Sequence, residues 1–305
     1  MGGRWDERSC GLPPATWVLL AMKRIVLLTL LCLCAPLLAQ RAERADLLVT
    51  GGTVLTMDGA RRVIAEGAVA VAAGRIVAVG PRRQIEARYV AREKIEAAGR
   101  AVLPGLVNTH THAAMSLFRG LADDLGLQEW LEKYIFPAEA RNVDADFVRL
   151  GTRLAALEMI YGGTTTFADM YYFEEVVAEV TREAGLRGVL GETILDFPAP
   201  DHKTAAAALA YTEQFLQRWR NHPLIVPAVA PHSAYTCSTD TLKRSGDLAA
   251  RYGAPLLIHL SETEAENKQV RAKQGVSPVA YLDRLGLLRR RTLAVHAVWL
   301  SDSDI

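Results

Sequence analysis

The residues of this 305-residue chain best able to do chemistry are histidines placed at the ends of apolar runs. The stretch Val102-Leu103-Pro104-Gly105-Leu106-Val107-Asn108-Thr109 stops at His110-Thr111-His112. On a β-strand residues i and i+2 point to the same face, so His110 and His112 can aim both imidazoles at one point, which a helix does not allow at that spacing. That point can hold a metal ion. A catalytic zinc or similar ion takes about three protein ligands and keeps an open position for water, whose pKa it lowers toward neutrality. His259, which ends the apolar run Ala254-Pro255-Leu256-Leu257-Ile258, is the candidate third ligand. Taken alone, a His-x-His pair or a single strand-end histidine is equally well read as a hydrogen-bonded structural residue.

Such side chains need a scaffold that presents strand ends side by side. From Ala101 onward strand-like and helix-like stretches alternate, the sign of a parallel sheet with crossover helices. Strands are predicted at Ala101–Val107, Thr164–Ala168, Gly188–Leu195, Ile225–Ala230, Pro255–His259 and Thr292–Val298. The clearest helices between them are Phe147–Tyr161, Glu174–Ala184, Thr204–Trp219 and Thr239–Tyr252. The fold class is therefore α/β with a parallel sheet, and among such folds the (β/α)8 TIM-type barrel keeps its active site at the C-terminal ends of the strands, where these histidines fall. Such a barrel takes roughly 250 residues, so the stretch from Ala101 to Ile305 has room for only about six units. Ahead of it, from Asp46 to about Ala98, short strands and glycine turns predict a small β-unit with a hairpin at Ala73-Gly74.

Lys plus Arg number 35 against 34 Asp plus Glu, so no bulk charge argues for nucleic acid. Half of the residues are hydrophobic, which excludes a mostly disordered chain. Met22-Lys23-Arg24, the apolar run Ile25 to Leu38 and then Ala39-Gln40 make up the three parts of a secretory signal. With Met22 as initiator the expected location is exported, periplasmic or secreted, with no stable membrane association after cleavage. The alternatives are an uncleaved anchor lengthened by Trp17 to Ala21, and a cytoplasmic protein whose first segment is no signal. Of the four cysteines only Cys237 lies beyond this segment, so no internal disulfide framework is expected.

The ordered motifs VLPGLVNTHTH, FRGLADDLGLQEWL, PHSAYT, IHLSET and LAVHAVWL resemble the metal-dependent amidohydrolase superfamily, in its branch of methylthioadenosine/S-adenosylhomocysteine deaminases and related aminohydrolases. The resemblance runs from about Asp46 to the last residue. It implies that His110, His112 and His259 hold one divalent ion, zinc with iron or manganese as alternatives. It makes Glu262, in HLSE, the proton carrier that also meets the substrate. It gives His296 the polarising of the attacked centre or the orienting of water, His232 a substrate contact, and Glu139, in IFPAEA, the ribose hydroxyls. Plainer readings stand beside these: Ser261 and Glu262 suit a helix N-terminus, His232 and His296 suit satisfied strand-end residues, and Glu139 suits an exposed loop carboxylate. Glu264 and Glu266 read as solvated charges, Trp130 as packing and Asp169 as a supporting residue.

The resemblance also divides the chain, into residues 1–39 as N-terminal extension and signal peptide, 40–100 as part of a β-sandwich domain, and 101–305 as the hydrolase barrel. Two departures matter. No arginine occurs from Thr193 to Lys203, where members that bind a homocysteine tail carry them. No GTDG-like aspartate strand occurs, and Asp302 and Asp304 read better as helix caps, so the chain is expected to be truncated. The expected activity is hydrolytic deamination of a small molecule, an amino-purine nucleoside such as methylthioadenosine or S-adenosylhomocysteine, or a related heterocycle. The alternatives are a triazine-type chloro- or aminohydrolase, and a non-catalytic remnant whose unpaired strand edges favour a homo-oligomer.

Overall fold

The computed structural model describes residues 42–289 and 291–305. The expected signal segment, Met22 to Gln40, lies outside the described residues. The chain forms two compact units that divide between Pro104 and Gly105.

The first unit is a five-stranded sheet built from β1 (Glu43–Leu55), β2 (Val63–Ala72), β3 (Arg75–Pro81), β4 (Tyr89–Glu96) and β5 (Ala101–Val102), with helix α1 (Arg82–Arg88) between β3 and β4. Its order is β3-β2-β1-β4, and β5 pairs with β1. The hairpin predicted at Ala73-Gly74 is present, with Ala72 opposite Arg75. Both turn residues have positive φ, 50° and 70°, as a two-residue type I′ turn requires. Asp46 accepts a hydrogen bond from the Ala73 amide at 2.6 Å and holds the alanine in that conformation. The core of the unit is Ala45, Leu48, Ala68, Ala70, Ile85 and Tyr89.

One expectation is corrected here. Ala101–Val107 is not a single barrel strand, because Ala101 and Val102 extend the first sheet in parallel with Thr53 and Val54. Pro104 has no N–H to continue a ladder, so the pairing stops and the next strand starts at Leu106. The boundary expected after residue 100 falls after Pro104.

The second unit is an all-parallel sheet of β6 (Leu106–Thr111), β7 (Thr164–Tyr171), β8 (Arg187–Ile194), β9 (Ile225–Pro231), β10 (Leu256–Leu260) and β11 (Thr292–His296), hydrogen-bonded in sequence order. Its helices are α2 (Phe136–Asn142), α3 (Ala145–Tyr161), α4 (Glu174–Ala184), α5 (Ala205–Arg218), α6 (Thr239–Tyr252), α7 (Glu264–Gln274) and α8 (Pro278–Arg284). Five of them begin where a short polar side chain accepts the hydrogen of an otherwise unpaired first-turn amide. These caps are Asp144, Thr204, Ser238, Thr263 and Ser277.

At about 4.8 Å per strand a flat sheet would hold β6 and β11 roughly 24 Å apart. The rings of His110 on β6 and His296 on β11 have centroids 5.1 Å apart. The sheet therefore curls on itself as the TIM-type barrel expected from the sequence. Small residues allow the curl: Ala168, Ala228 and Ala230 cluster with Met170 and Leu257. A second layer packs Phe167, Leu190 and Ile225 of the strands with Val177 of α4 and Phe215 of α5.

Helix α3 lies directly against the 3-10 turn Ala113–Phe118, the segment that follows His112. A Cβ on Gly151 would stand 2.3 Å from the Ala114 carbonyl oxygen, so only glycine permits this approach. Gly→Ala in a helix interior ordinarily stabilises by about 0.5–1 kcal/mol. Here Gly151→Ala is expected to destabilise by about 1–3 kcal/mol, as overpacking does. Urea unfolding reads the difference, and a gain in stability would refute the close contact.

Candidate metal centre and active site

Five imidazoles meet at the C-terminal ends of the second unit's strands. His110 is on β6 and His112 one residue past it, His232 follows β9, His259 is on β10 and His296 ends β11. The ring centroids of His110, His112 and His259 lie 4.7, 5.0 and 5.3 Å apart. His296 is 5.1 Å from His110 and 5.3 Å from His259, and His232 is 4.6 Å from His259. One nitrogen each of His110, His259 and His296 falls within 4.8 Å of the others. The rings of every histidine named from the sequence gather here, but the three whose nitrogens cluster within reach of one ion are His110, His259 and His296, with His112 outside that set.

Backbone carbonyls of neighbouring strands orient two of the rings. His112 Nδ1 lies 2.5 Å from the Met170 oxygen on β7, and His259 Nδ1 lies 3.0 Å from the His232 oxygen. A carbonyl only accepts, so each Nδ1 carries the hydrogen and each Nε2 keeps a free lone pair. Burial is the largest cause that lowers the pKa of every one of the five rings. Nearby imidazoles add to it at His110 and His232, both pushed down to about 3, and at His112 and His259. At His296 burial acts alone. Neutral imidazole is the form that ligates, so this donor set fits a divalent cation such as zinc.

The carboxylates around the rings are held by N–H and O–H donors. Buried Asp169 accepts from the Ala113 amide at 2.6 Å and from the Thr111 hydroxyl. Those two residues flank His112, so Asp169 pins the backbone on both sides of that histidine. Glu262 is half-buried, burial raises its pKa, and its Oε1 lies 3.5 Å from His296 Nε2. The turn that carries it is left-handed, with φ 50° at Ser261, and so is the end of β11, with φ 72° at His296 and 49° at Ala297. The two turns are tied together, since the Val298 and Trp299 amides donate to the Ser261 oxygen at 3.1 and 2.8 Å.

Two expectations change. Glu266 is not a solvated charge: it is 3% exposed, and its two oxygens accept from the Ser261 and Glu262 amides at 3.0 and 2.8 Å. It therefore holds the strained turn that presents Glu262. The signal was in the sequence, because Thr263-x-x-Glu266 has capping-box spacing and Thr263 does cap the helix. Glu264 is exposed and pairs with Lys268, as expected. Glu139 is not an exposed loop residue but a buried one on α2, 4% exposed, accepting from the Tyr171 hydroxyl at 2.8 Å and the Tyr172 hydroxyl at 3.5 Å. The Tyr171 ring sits 6.1 Å from the His112 ring, which links Glu139 to the centre. Asp304 accepts from the Ser301 amide at 2.9 Å within a turn at residues 302–304, so it closes a turn and does not cap the helix expected there.

Residues 101–305 match the Amidohydrolase family, and residues 67–89 match the imidazolonepropionase-like composite domain of bacteria. The chain is 51% identical over 264 residues to a 5-methylthioadenosine/S-adenosylhomocysteine deaminase of Syntrophobacter fumaroxidans, covering 87% of this chain and 60% of that one. It is 50% identical over 263 residues to 5-methylthioadenosine/S-adenosylhomocysteine deaminase 1 of Syntrophus aciditrophicus, covering 86% and 59%. Among solved structures, an adenosine deaminase from Xanthomonas campestris with bound zinc superposes with a TM-score of 0.83 at 38% identity, over 86% of this chain and 60% of that chain. The chain spans about three fifths of the length of these relatives.

Burial raises the Glu139 pKa from 4.5 to about 7 despite the two phenols. The folded state therefore keeps a proton that the unfolded chain has released, and the associated stability is complete below pH 4.5 and lost as pH rises through about 7. Glu139→Gln stays neutral at every pH. Its melting temperature relative to wild type is expected to be higher at about pH 8.5 than at about pH 5. A difference that does not change with pH would contradict the assignment.

Proposed function

The chain belongs to the Amidohydrolase family, and on that premise we propose that it forms the barrel of a metal-dependent hydrolytic deaminase of an aminated purine nucleoside. The observation that carries this reading is the cluster of neutral imidazoles, two of them with Nδ1 committed to a backbone carbonyl. His110, His112 and His259 would hold the ion, for which zinc is the first choice, their rings lying 4.7 to 5.3 Å apart, and His296, whose nitrogen clusters with those of His110 and His259, stands beside it. When bound, such an ion supplies Lewis-acid activation of water. The deaminase relatives, and the adenosine deaminase that holds zinc, support the reaction class.

In the reaction water replaces the amino group on a ring carbon, so one C–O bond forms and one C–N bond breaks. Of the two protons that water brings, one goes to the ring nitrogen and one leaves with ammonia. Glu262 suits this transfer because burial favours its protonated form and the Glu266-held turn fixes its backbone. His296, 3.5 Å from the Glu262 carboxyl, orients it and polarises the attacked centre. His232 meets the substrate beside the ion. Glu139 accepts the sugar hydroxyls once they displace Tyr171 and Tyr172 from its oxygens.

For the substituent on the sugar, a neutral thioether as in methylthioadenosine is favoured over a charged amino-acid tail. The segment Thr193 to Lys203 has no arginine, and the Lys203 ammonium is turned onto the Ala199 and Pro200 carbonyls of its own loop. The basic and apolar segment from Met22 to Gln40 supports export as part of the proposal. N-terminal sequencing of the product is expected to start after Ala39, and a mature chain that retains Met22 would exclude cleavage.

The zinc-loaded full-length gene product is expected to release ammonia from methylthioadenosine faster than from S-adenosylhomocysteine. Glu262→Gln should lower kcat by about 10²–10⁴-fold, the usual contribution of a general acid–base group. No release from methylthioadenosine, S-adenosylhomocysteine, adenosine, guanine or an aminated triazine would refute the deaminase reading. Full activity of the Glu262→Gln protein would refute the proton-carrier role alone.

A further inference from the structure

At the end of the barrel's third strand, β8, a second group of donors converges. Glu192 is on β8, and Asp201 and His202 are on the loop that follows. One donor atom of each lies within 4.8 Å of the other two. His202 Nε2 is 4.0 Å from Glu192 Oε1 and 3.8 Å from Asp201 Oδ2. We propose that Glu192, Asp201 and His202 form a second cation site, for a divalent transition ion such as zinc or manganese.

The first support is a set of orphan atoms. Glu192 Oε1, Asp201 Oδ1 and His202 Nε2 are buried and have no hydrogen-bond partner. Buried polar groups nearly always have one, so three orphans on three adjacent residues need a shared explanation. The other oxygens of the same carboxylates are already engaged. Glu192 Oε2 accepts from the Glu174 amide at 3.1 Å, and Asp201 Oδ2 accepts from the Phe173 amide at 2.8 Å. The side chains are therefore aimed, with one face of each group left open toward the others. The His202 ring is steadied by Tyr211, 4.8 Å between centroids.

Charge is the second support. Asp169, Glu174 and Glu192 are each 0% exposed, and the Asp201 side chain beside them is 5% exposed. Among the described residues no lysine or arginine nitrogen lies within 4.0 Å of these four carboxylates. Burial first, and then the neighbouring carboxylates, raise the Glu174 and Glu192 pKa well above the ordinary value. Buried carboxylates in such a series need protons or a cation. One imidazole nitrogen with two carboxylate oxygens is a set that borderline divalent ions accept, with positions left over for water. An ion there would clamp the loop after β8 to its strand, and through the Phe173 and Glu174 amides to the start of α4.

The test is metal content of the purified full chain after dialysis against zinc or manganese, with variants of each centre. Wild type is expected to hold one equivalent more than His202→Gln, while His259→Ala loses a different equivalent and keeps the one at His202. Anomalous scattering from a zinc-soaked crystal should place a peak between Glu192, Asp201 and His202, which decides the matter even if a variant fails to fold. Equal metal content in wild type and His202→Gln, or a map with no peak there, overturns the proposal and leaves the three side chains sharing protons. A wild-type protein that holds metal at His202 but none at the His259 centre would count against the proposed function and not against this site.

Discussion

A lone pair is available to a cation at the mouth of this barrel because a backbone carbonyl takes the hydrogen of the opposite ring nitrogen. The Met170 oxygen does this for His112 and the His232 oxygen for His259. Each carbonyl comes from a neighbouring strand or its extension, so ligand chemistry and sheet register are one constraint. Thr111 faces Asp169 across β6 and β7, and Ser233 bridges to His259. A slip of one residue would turn each histidine away and remove the carbonyl that sets its tautomer. The curl of the sheet completes the arrangement, since only a curved sheet brings rings from β6 and β11 within 5.1 Å.

The anionic side chains obey a matching rule. Asp169, Glu266 and Glu139 are buried, among the described residues no lysine or arginine pairs with them, and each accepts from amides or hydroxyls. A carboxylate bound in this way locks backbone as much as it carries charge, which suits groups that must present a ligand or a proton carrier without moving. Asp169 locks the two residues around His112, and Glu266 locks the turn beneath Glu262. Glu192 and Asp201 each keep one oxygen with no donor, as Asp169 does at Oδ2, but theirs lie beside the equally unpartnered Nε2 of His202.

Much of the site could be read in advance because its parts are local. Strand-end histidines are marked by the apolar runs before them, and helix starts by Asp144, Ser238 and Thr263, whose caps depend only on residues three further on. Glu262 was identified by its three-residue distance from His259. Glu266 was misread despite its capping-box spacing, because its usual reach is to the cap's own amide, and here a left-handed Ser261 brings two earlier amides to it instead.

By itself the sequence determined the alternation of strands and helices and the residues that could ligate, since each depends on periodicity, capping or short spacing, and its ordered motifs carried the resemblance to the family. Only the tertiary structure decided that Ala101 and Val102 belong to the first sheet, that Glu139 is buried under two tyrosines, and that Glu192 meets Asp201 and His202. The physical reason is the same in each case. Burial and hydrogen-bond partnership are set by residues tens of positions away, and only the closing of the sheet brings those residues into contact.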